Sequence, residues 1–156
     1  MKNIEVEDKL TKEVLLSISG IQFDNNEDEP IKVITAGEYF FEDDIHYINY
    51  EEVSEDKPKE VTKCTIKIKN NGLEMIKNGP MSVHMIFEEG RKHVSYYNTP
   101  YGDLVVGTYT NRVRMSRQED AMEITISYGL EINGQHISNS EIVVNVQSKE
   151  KADLKL

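Results

Sequence analysis

The chain has 156 residues, of which 38% are hydrophobic and 29% are charged, a composition typical of one globular domain rather than of a disordered chain. Its 28 acidic and 18 basic residues give a formal net charge of -10, which repels nucleic acid and anionic membranes and argues against both as partners. Cys64 is the only cysteine, which excludes an intramolecular disulfide and a multi-cysteine zinc site. Since no window resembles a signal peptide or a membrane span, we expect a cytoplasmic protein, and we expect no cofactor.

Apolar and polar residues alternate with a period of two along most of the chain, which predicts half-buried β-strands. The clearest case runs from Met122 to Ile132 and is followed at once by Asn133-Gly134, a dipeptide typical of a type I′ turn. The alternation resumes through Ile142, so these two segments are predicted to pair as a hairpin. The same pattern predicts ten strands, at residues 13–23, 31–41, 45–53, 60–69, 72–77, 81–88, 92–98, 103–115, 121–132 and 136–147.

Short connections rich in Gly, Pro, Asn and Asp separate these strands, at residues 24–30, 43–44, 57–58, 70–72, 78–80, 89–90 and 100–102. Because an open sheet of this size would leave long unpaired edges, the sequence favours an all-β, antiparallel up-and-down barrel of about 8–10 strands. A two-layer sandwich is the alternative. We predict a flexible amino-terminal segment at 1–12, one barrel domain at 13–147 and a polar carboxy-terminal tail at 148–156.

Several segments of the chain resemble a known family. They are VLLSISGIQ from Val14 to Gln22, TAGEYFFEDDIHYINYEE from Thr35 to Glu52, TPYGDL from Thr99 to Leu104, and the final ISYGLEINGQ. Together they are similar to the bacterial YwiB-like proteins, a family of unknown function, over residues 13–147. This chain has Lys77-Asn78-Gly79 where that family tends to place an arginine before the glycine of the central turn. The resemblance implies a lipocalin-like, or calycin-like, barrel and assigns no catalytic residue.

Two histidines, His84 and His93, flank the predicted Glu89-Gly90 turn. In a hairpin with that two-residue turn, both imidazoles would point outward as diagonal neighbours. The same register would place five apolar residues inward, namely Val83, Met85, Phe87, Val94 and Tyr96. Because a metal usually needs three or four ligands, we interpret the histidines as ordinary exposed residues and predict no metal site.

Cationic side chains alternate along two predicted strands. Lys63, Lys67 and Lys69 lie on one strand, and Arg112 and Arg114 lie on another. Arginine pairs can grip carboxylate or phosphate, so Arg112 and Arg114 are candidate ligand-binding residues for an anionic molecule. The alternative is a solvated outer face that discourages strand pairing. The sequence leaves open whether the two rows adjoin.

The eight tyrosines are spread along the predicted strands and one turn. Inside a barrel, a phenol can pack its ring and direct its hydroxyl at a polar group of a ligand. Tyr96, Tyr109 and Tyr128 are therefore candidate ligand-binding residues, and rings that fill the core are the alternative. Cys64 alternates with Ile66, so it is predicted to be buried and inert.

No short catalytic motif is present, and the acidic pairs Asp43-Asp44 and Glu51-Glu52 lie at or near predicted strand ends, where water surrounds them. The first hypothesis is a noncatalytic protein that binds a small, partly apolar or anionic molecule in the barrel interior or its mouth. The second is a protein-interaction or regulatory module with a side-chain-filled barrel, and an enzyme is the third. Bulky inward residues between Met122 and Ile132 support the second hypothesis.

Overall fold

Ten β-strands account for most of the chain that the structure describes. The computed structural model describes residues 12–20, 32–53, 60–80 and 82–151. The strands are β1 (Glu13–Ser19), β2 (Lys32–Glu42), β3 (Ile45–Val53), β4 (Val61–Lys69), β5 (Gly72–Asn78), β6 (Val83–Glu88), β7 (Lys92–Thr99), β8 (Gly102–Gln118), β9 (Ala121–Ile132) and β10 (Gln135–Ser148). A 3-10 turn at Lys149–Lys151 follows β10. The ten predicted strands are confirmed. The predicted strand residues 21–23, 31 and 81 and the predicted turns at 24–30 and 57–58 lie outside the described residues.

These strands form one antiparallel sheet that curls into a nearly closed barrel. The strand order is β6-β5-β4-β3-β2-β1-β10-β9-β8-β7, so β1 pairs with β10 and brings the first and last strands together. The predicted all-β, antiparallel up-and-down barrel is confirmed, and it is consistent with a lipocalin-like barrel. Within the described ranges, none of the helical segments is long or apolar enough to span a membrane.

Tight turns fix the register of the hairpins. Asn133 and Gly134 have φ angles of 52° and 82°, as a type I′ turn requires, and they join β9 to β10 in the predicted hairpin. Asp43 and Asp44, with φ angles of 54° and 66°, make a similar connection between β2 and β3. Both connections favour the right-handed twist that a closing sheet needs.

The inward side chains fill the described part of the barrel. Among its fully buried side chains are Phe87, Leu16, Ile48, Ile66, Ile68, Leu73, Met122, Ile124, Ile126, Leu130, Ile142 and Val14. Phe87 meets Tyr128 edge to face, with ring centroids 5.0 Å apart. Since a ten-stranded barrel is wider than an eight-stranded one, large inward residues are needed to fill it. This interior is a packed hydrophobic core.

The hairpin predicted between β6 and β7 is wrong. Each of these two strands ends the sheet, and in the described chain no ladder pairs one with the other. The seam between them is closed by side chains: Ser95 Oγ and Tyr97 Oη donate to the His84 carbonyl at 2.6 and 3.0 Å, and Thr108 Oγ1 donates to the Ile86 carbonyl at 2.9 Å. A strand-edge carbonyl without such a donor would be costly to bury.

The seam also decides which face of β7 points inward. Val94 and Tyr96 were expected to join Met85 and Phe87 in the core, but both are exposed. Tyr97 packs partly buried against the core in their place. The hydroxyl groups of Ser95 and Tyr97, on the same face, donate hydrogen bonds to the His84 carbonyl of β6. The side chain of Val94 has no hydrogen-bond donor and could not replace them.

Candidate functional site

The outer face of β7 and β8 carries a group of exposed apolar side chains. Val94, Tyr96, Tyr101 and Tyr109 are 46%, 78%, 99% and 45% exposed. Val94 lies two residues from Tyr96 on β7, and it pairs across the ladder with Gly107, two residues from Tyr109 on β8. The ion pair between Lys92 and Glu131, with Nζ and Oε1 2.7 Å apart, covers Gly107 and lies between these groups.

Arg112 and Arg114 continue the same outer face along β8. The register between β8 and β9 shifts between Thr110 and Arg112, which marks a β-bulge, and both arginines remain exposed beyond it. Their direct neighbours on β9 are Ser127 and Thr125, which carry no charge. We call the surface formed by Val94, Tyr96, Tyr109, Arg112 and Arg114 the outer strip.

Among the described residues, the two arginines of the outer strip lack the ion pairs that four other cations form. In the part of the chain that the structure describes, no ion pair is formed by Arg112 or Arg114. By contrast, glutamates pair with Lys69, Lys77, Arg91 and Lys92. The guanidinium groups of the outer strip are therefore available to an anionic partner.

The structure places four of the five predicted ligand-binding residues on one outer face, but Tyr96 pairs with Val105, seven residues before Arg112 on β8, so it does not adjoin the arginines. Tyr96, Tyr109, Arg112 and Arg114 all lie on the outer strip. The expectation that Tyr96 and Tyr109 point into the barrel is wrong, because the side of β7 that faces the core supplies the hydroxyl groups of the seam. Tyr109 follows Tyr96 to the outside because it pairs with Lys92, which shares the outer face of β7.

Tyr128 is separated from the other four because it lies on the inner face of β9, where it is buried. Burial raises the pKa of its phenol, and a hydrogen bond with Ser140 partly offsets this effect. Its ring packs against Phe87. Tyr128 therefore fills the core, which was the alternative interpretation of the tyrosines.

The two cationic rows do not adjoin. In the sheet order, five strands stand between β4 and β8, namely β3, β2, β1, β10 and β9. In the other direction around the barrel, β5, β6, the seam and β7 separate β8 from β4, the strand that carries Lys63, Lys67 and Lys69. Lys63 pairs across the ladder with Glu51, and Lys69 lies 3.7 Å from a carboxylate oxygen of Glu74. The lysine row is thus a charge-balanced outer face.

A second candidate site is a cleft of about 610 Å³ on the wall formed by β1 to β4. The ladder between β2 and β3 ends at the pair Glu38–Asn49, although β2 begins at Lys32 and β3 continues to Val53. The cleft lies where these strands cease to pair, and it is lined by Glu13, Val14, Ala36, Gly37, Glu38, Asn49, Tyr50, Glu51, Lys63, Cys64, Thr65 and Lys149.

Tyr50 and Cys64 are the buried polar side chains of this cleft. Burial, with a contribution from Glu52, raises the pKa of the Cys64 thiol to about 11. Burial also raises the pKa of Tyr50. Both groups are consequently neutral at pH 7, and a protonated thiol is a weak nucleophile. The prediction that Cys64 is buried is confirmed.

The histidines bind separate glutamates. His84 contacts Glu74, and His93 Nε2 lies 2.9 Å from a carboxylate oxygen of Glu88. Burial acts to raise the pKa of Glu74, but the hydrogen bond with His84 and the nearby lysines lower it overall. In the ranges that the structure describes, no group of three or more His, Cys, Asp or Glu residues could hold a metal.

Comparison with known proteins places this architecture in a family. The model of the domain of unknown function DUF1934 matches residues 16–144. The chain belongs to the DUF1934 family. The resemblance to the YwiB-like proteins drawn from the sequence is thereby confirmed.

A relative of this DUF1934 chain comes from Bacillus subtilis and matches in both sequence and structure. The uncharacterized beta-barrel protein YwiB of strain 168 is 22% identical over 131 residues, which cover 83% of this chain and 90% of that protein. The crystal structure of the ywiB protein superposes with a TM-score of 0.70 at 18% identity, covering 90% of this chain and 96% of that one. At this identity the structural likeness shows the fold.

Sequence reasoning missed the cleft in this DUF1934 barrel. Its formation depends on where the ladder between β2 and β3 stops, and alternation does not encode that point. The long β8 did leave a signal, since the predicted strand at 103–115 exceeded its predicted neighbour at 92–98 by several residues. That difference indicated that part of β8 has no partner on one side.

Proposed function

We propose that this DUF1934 chain is a noncatalytic protein-interaction module with a side-chain-filled barrel, and that the outer strip binds its partner. The observation that carries the proposal is the placement of Tyr109, Arg112 and Arg114 on the outer face of β8 and of Tyr96 on that of β7, while bulky residues fill the described core. Tyrosine and arginine are enriched at the energetic centres of protein interfaces. Contiguous exposed apolar surface is typical of interaction sites.

Photo-crosslinking in cells of the source organism tests this function. Benzoylphenylalanine would replace Tyr96 in one variant and Phe40 in a matched control. Phe40 is a suitable control because it is also an exposed ring, but it lies on β2 and stacks on Tyr47. We expect a discrete protein adduct from position 96 and none of the same mass from position 40. No adduct at position 96, or identical adducts at both positions, would contradict the proposal.

The cleft supports a second candidate function, the binding of a small, partly apolar or anionic molecule. Its volume of about 610 Å³ lies in the range of small-molecule sites, and it combines apolar Val14 with charged Lys63. Native mass spectrometry of protein purified from its host would show a reproducible small adduct. Ala36→Trp, which places a large ring in the cleft, should remove that adduct, whereas Val53→Trp on the exposed end of β3 should not.

A further inference from the structure

We propose that the partner of the outer strip is an extended acidic peptide segment that adds as a strand to the free edge of β8. This inference rests on the protein-interaction function proposed above. It names the chemistry of the partner: backbone groups that pair with β8, and carboxylates at alternate positions that meet Arg112 and Arg114.

The free edge of β8 begins after Thr110, whose N–H donates to the Arg91 carbonyl at 3.1 Å and whose carbonyl accepts from the Gly90 N–H at 2.8 Å. The ladder between β7 and β8 stops at the pair Lys92–Tyr109, but β8 continues to Gln118. Along this extension β9 pairs with one side of β8, and within the described ranges no strand pairs with the other side of the stretch from Arg112 to Ser116. Backbone N–H and C=O groups at such an edge can accept an added strand.

The first backbone N–H group of this edge is already hydrogen-bonded to a carboxylate. The Val113 N–H donates to Glu89 Oε2 at 3.2 Å, from the turn between β6 and β7. Because residues alternate in direction along an antiparallel strand, Met115 presents its backbone to the same side as Val113. The side chains of Val113 and Met115 pack against the core, which holds the edge in place. The edge is therefore a pre-formed strand.

The charges of this surface select an acidic segment. Every second side chain of an added strand would lie on the outer face, beside Arg112 and Arg114 and at cross-strand distance. Carboxylates at those positions could form charge-assisted hydrogen bonds with the guanidinium groups. The net charge of -10 does not prevent this, because at physiological ionic strength charges beyond about 8 Å are largely screened.

The same charges disfavour a second copy of the chain as the occupant. An edge-to-edge dimer of β8 strands would bring the arginines of one copy beside those of the other. Like charges on adjacent strands are destabilising. Exposed cations on an edge strand commonly prevent self-association in this way.

Fluorescence anisotropy with defined peptides tests the proposal. The probe is a fluorescein-labelled peptide of four Thr-Glu repeats, and a peptide of four Thr-Lys repeats is its charge control. We expect the Thr-Glu peptide to bind the full chain and the Thr-Lys peptide not to bind. Arg112→Gln/Arg114→Gln should weaken binding at least about tenfold, since each charge-assisted bond contributes about 1.5–3 kcal/mol. Lys63→Gln/Lys67→Gln on β4 is the matched control and should change binding little.

A second peptide separates strand addition from simple attraction between charges. N-methylation of alternate residues of the Thr-Glu peptide removes backbone donors but keeps every carboxylate, and it should abolish binding. Equal binding of the methylated peptide, or full competition by inorganic phosphate, would overturn the strand proposal. So would equal binding by the wild-type chain and the double arginine variant. A crosslinked adduct at position 96 in cells, with no binding of the Thr-Glu peptide, would overturn only the proposal of an acidic added strand. If neither the adduct nor peptide binding is observed, the proposed interaction function is overturned too.

Discussion

Two of the buried tyrosines of this barrel have specific hydrogen-bond partners. The Tyr39 hydroxyl lies 2.9 Å from His46 Nδ1, and Tyr128 is hydrogen-bonded with Ser140. Each of these bonds lets a large amphipathic ring fill core volume without leaving a buried hydroxyl unsatisfied. This explains how Tyr39 and Tyr128 help to fill the core of a ten-stranded barrel that has no tryptophan.

At the scale of single residues, Cys64 should make stability depend on alkaline pH. The pKa of the thiol rises from its ordinary 9.0 to about 11 on folding, so its contribution is complete below about pH 9 and is lost as the pH rises toward 11. The stability difference between wild type and Cys64→Ala should therefore fall by about 2 kcal/mol over this interval, given about 1.4 kcal/mol per pKa unit. Urea denaturation in steps from pH 8 to 11 measures this difference, and a constant difference would contradict the burial effect.

Among the elements, the seam between β6 and β7 is the part of the wall that depends on side chains. Ser95 and Tyr97 both donate to the His84 carbonyl, in place of the paired backbone bonds found between neighbouring strands elsewhere in the sheet. A barrel closed in this way has one join that a small number of hydroxyl groups hold together. Local opening is expected where few backbone bonds must break.

Removal of both seam hydroxyls should loosen β6 before the rest of the sheet. We expect Ser95→Ala/Tyr97→Phe to reduce the free energy of unfolding by about 1–3 kcal/mol, because a carbonyl loses its donors. Hydrogen exchange of amides in residues 83–88 should accelerate more than exchange in β4. Thr65→Ala, which removes an exposed bond to Asn49, is the matched control. Equal acceleration in both strands, or none in β6, would show that the seam is held by other contacts.

For the molecule as a whole, repulsion among acidic groups opposes the compact state. With a net charge of -10, added salt should raise the melting temperature, by about a few degrees between low and physiological ionic strength. Arg112→Gln/Arg114→Gln carries two more net negative charges and should show a steeper dependence on salt. Calorimetry over a sodium chloride series measures both slopes, and identical slopes would indicate that local pairs outweigh the net charge.

The sequence by itself determined the strands, the β9–β10 hairpin and the family, because alternation, turn dipeptides and motifs are local properties of the chain. It also determined which residues within one strand point to the same side of the sheet. Tertiary structure decided which face of β7 points inward. His93, Ser95 and Tyr97 alternate there with Val94 and Tyr96, so hydrophobicity alone does not choose between the two faces.

The face that carries Ser95 and Tyr97 points inward because their hydroxyl groups donate to the His84 carbonyl of β6, a strand that does not pair with β7. The cleft and the free edge of β8 likewise depend on where ladders stop, at Glu38–Asn49 and Lys92–Tyr109. Ladder ends reflect how strands of unequal length fit around a closed barrel, and no single segment of the sequence contains that information. The seam and the β7–β8 register, rather than these ladder ends, place Tyr96 and Tyr109, expected inside the barrel, on the outer strip.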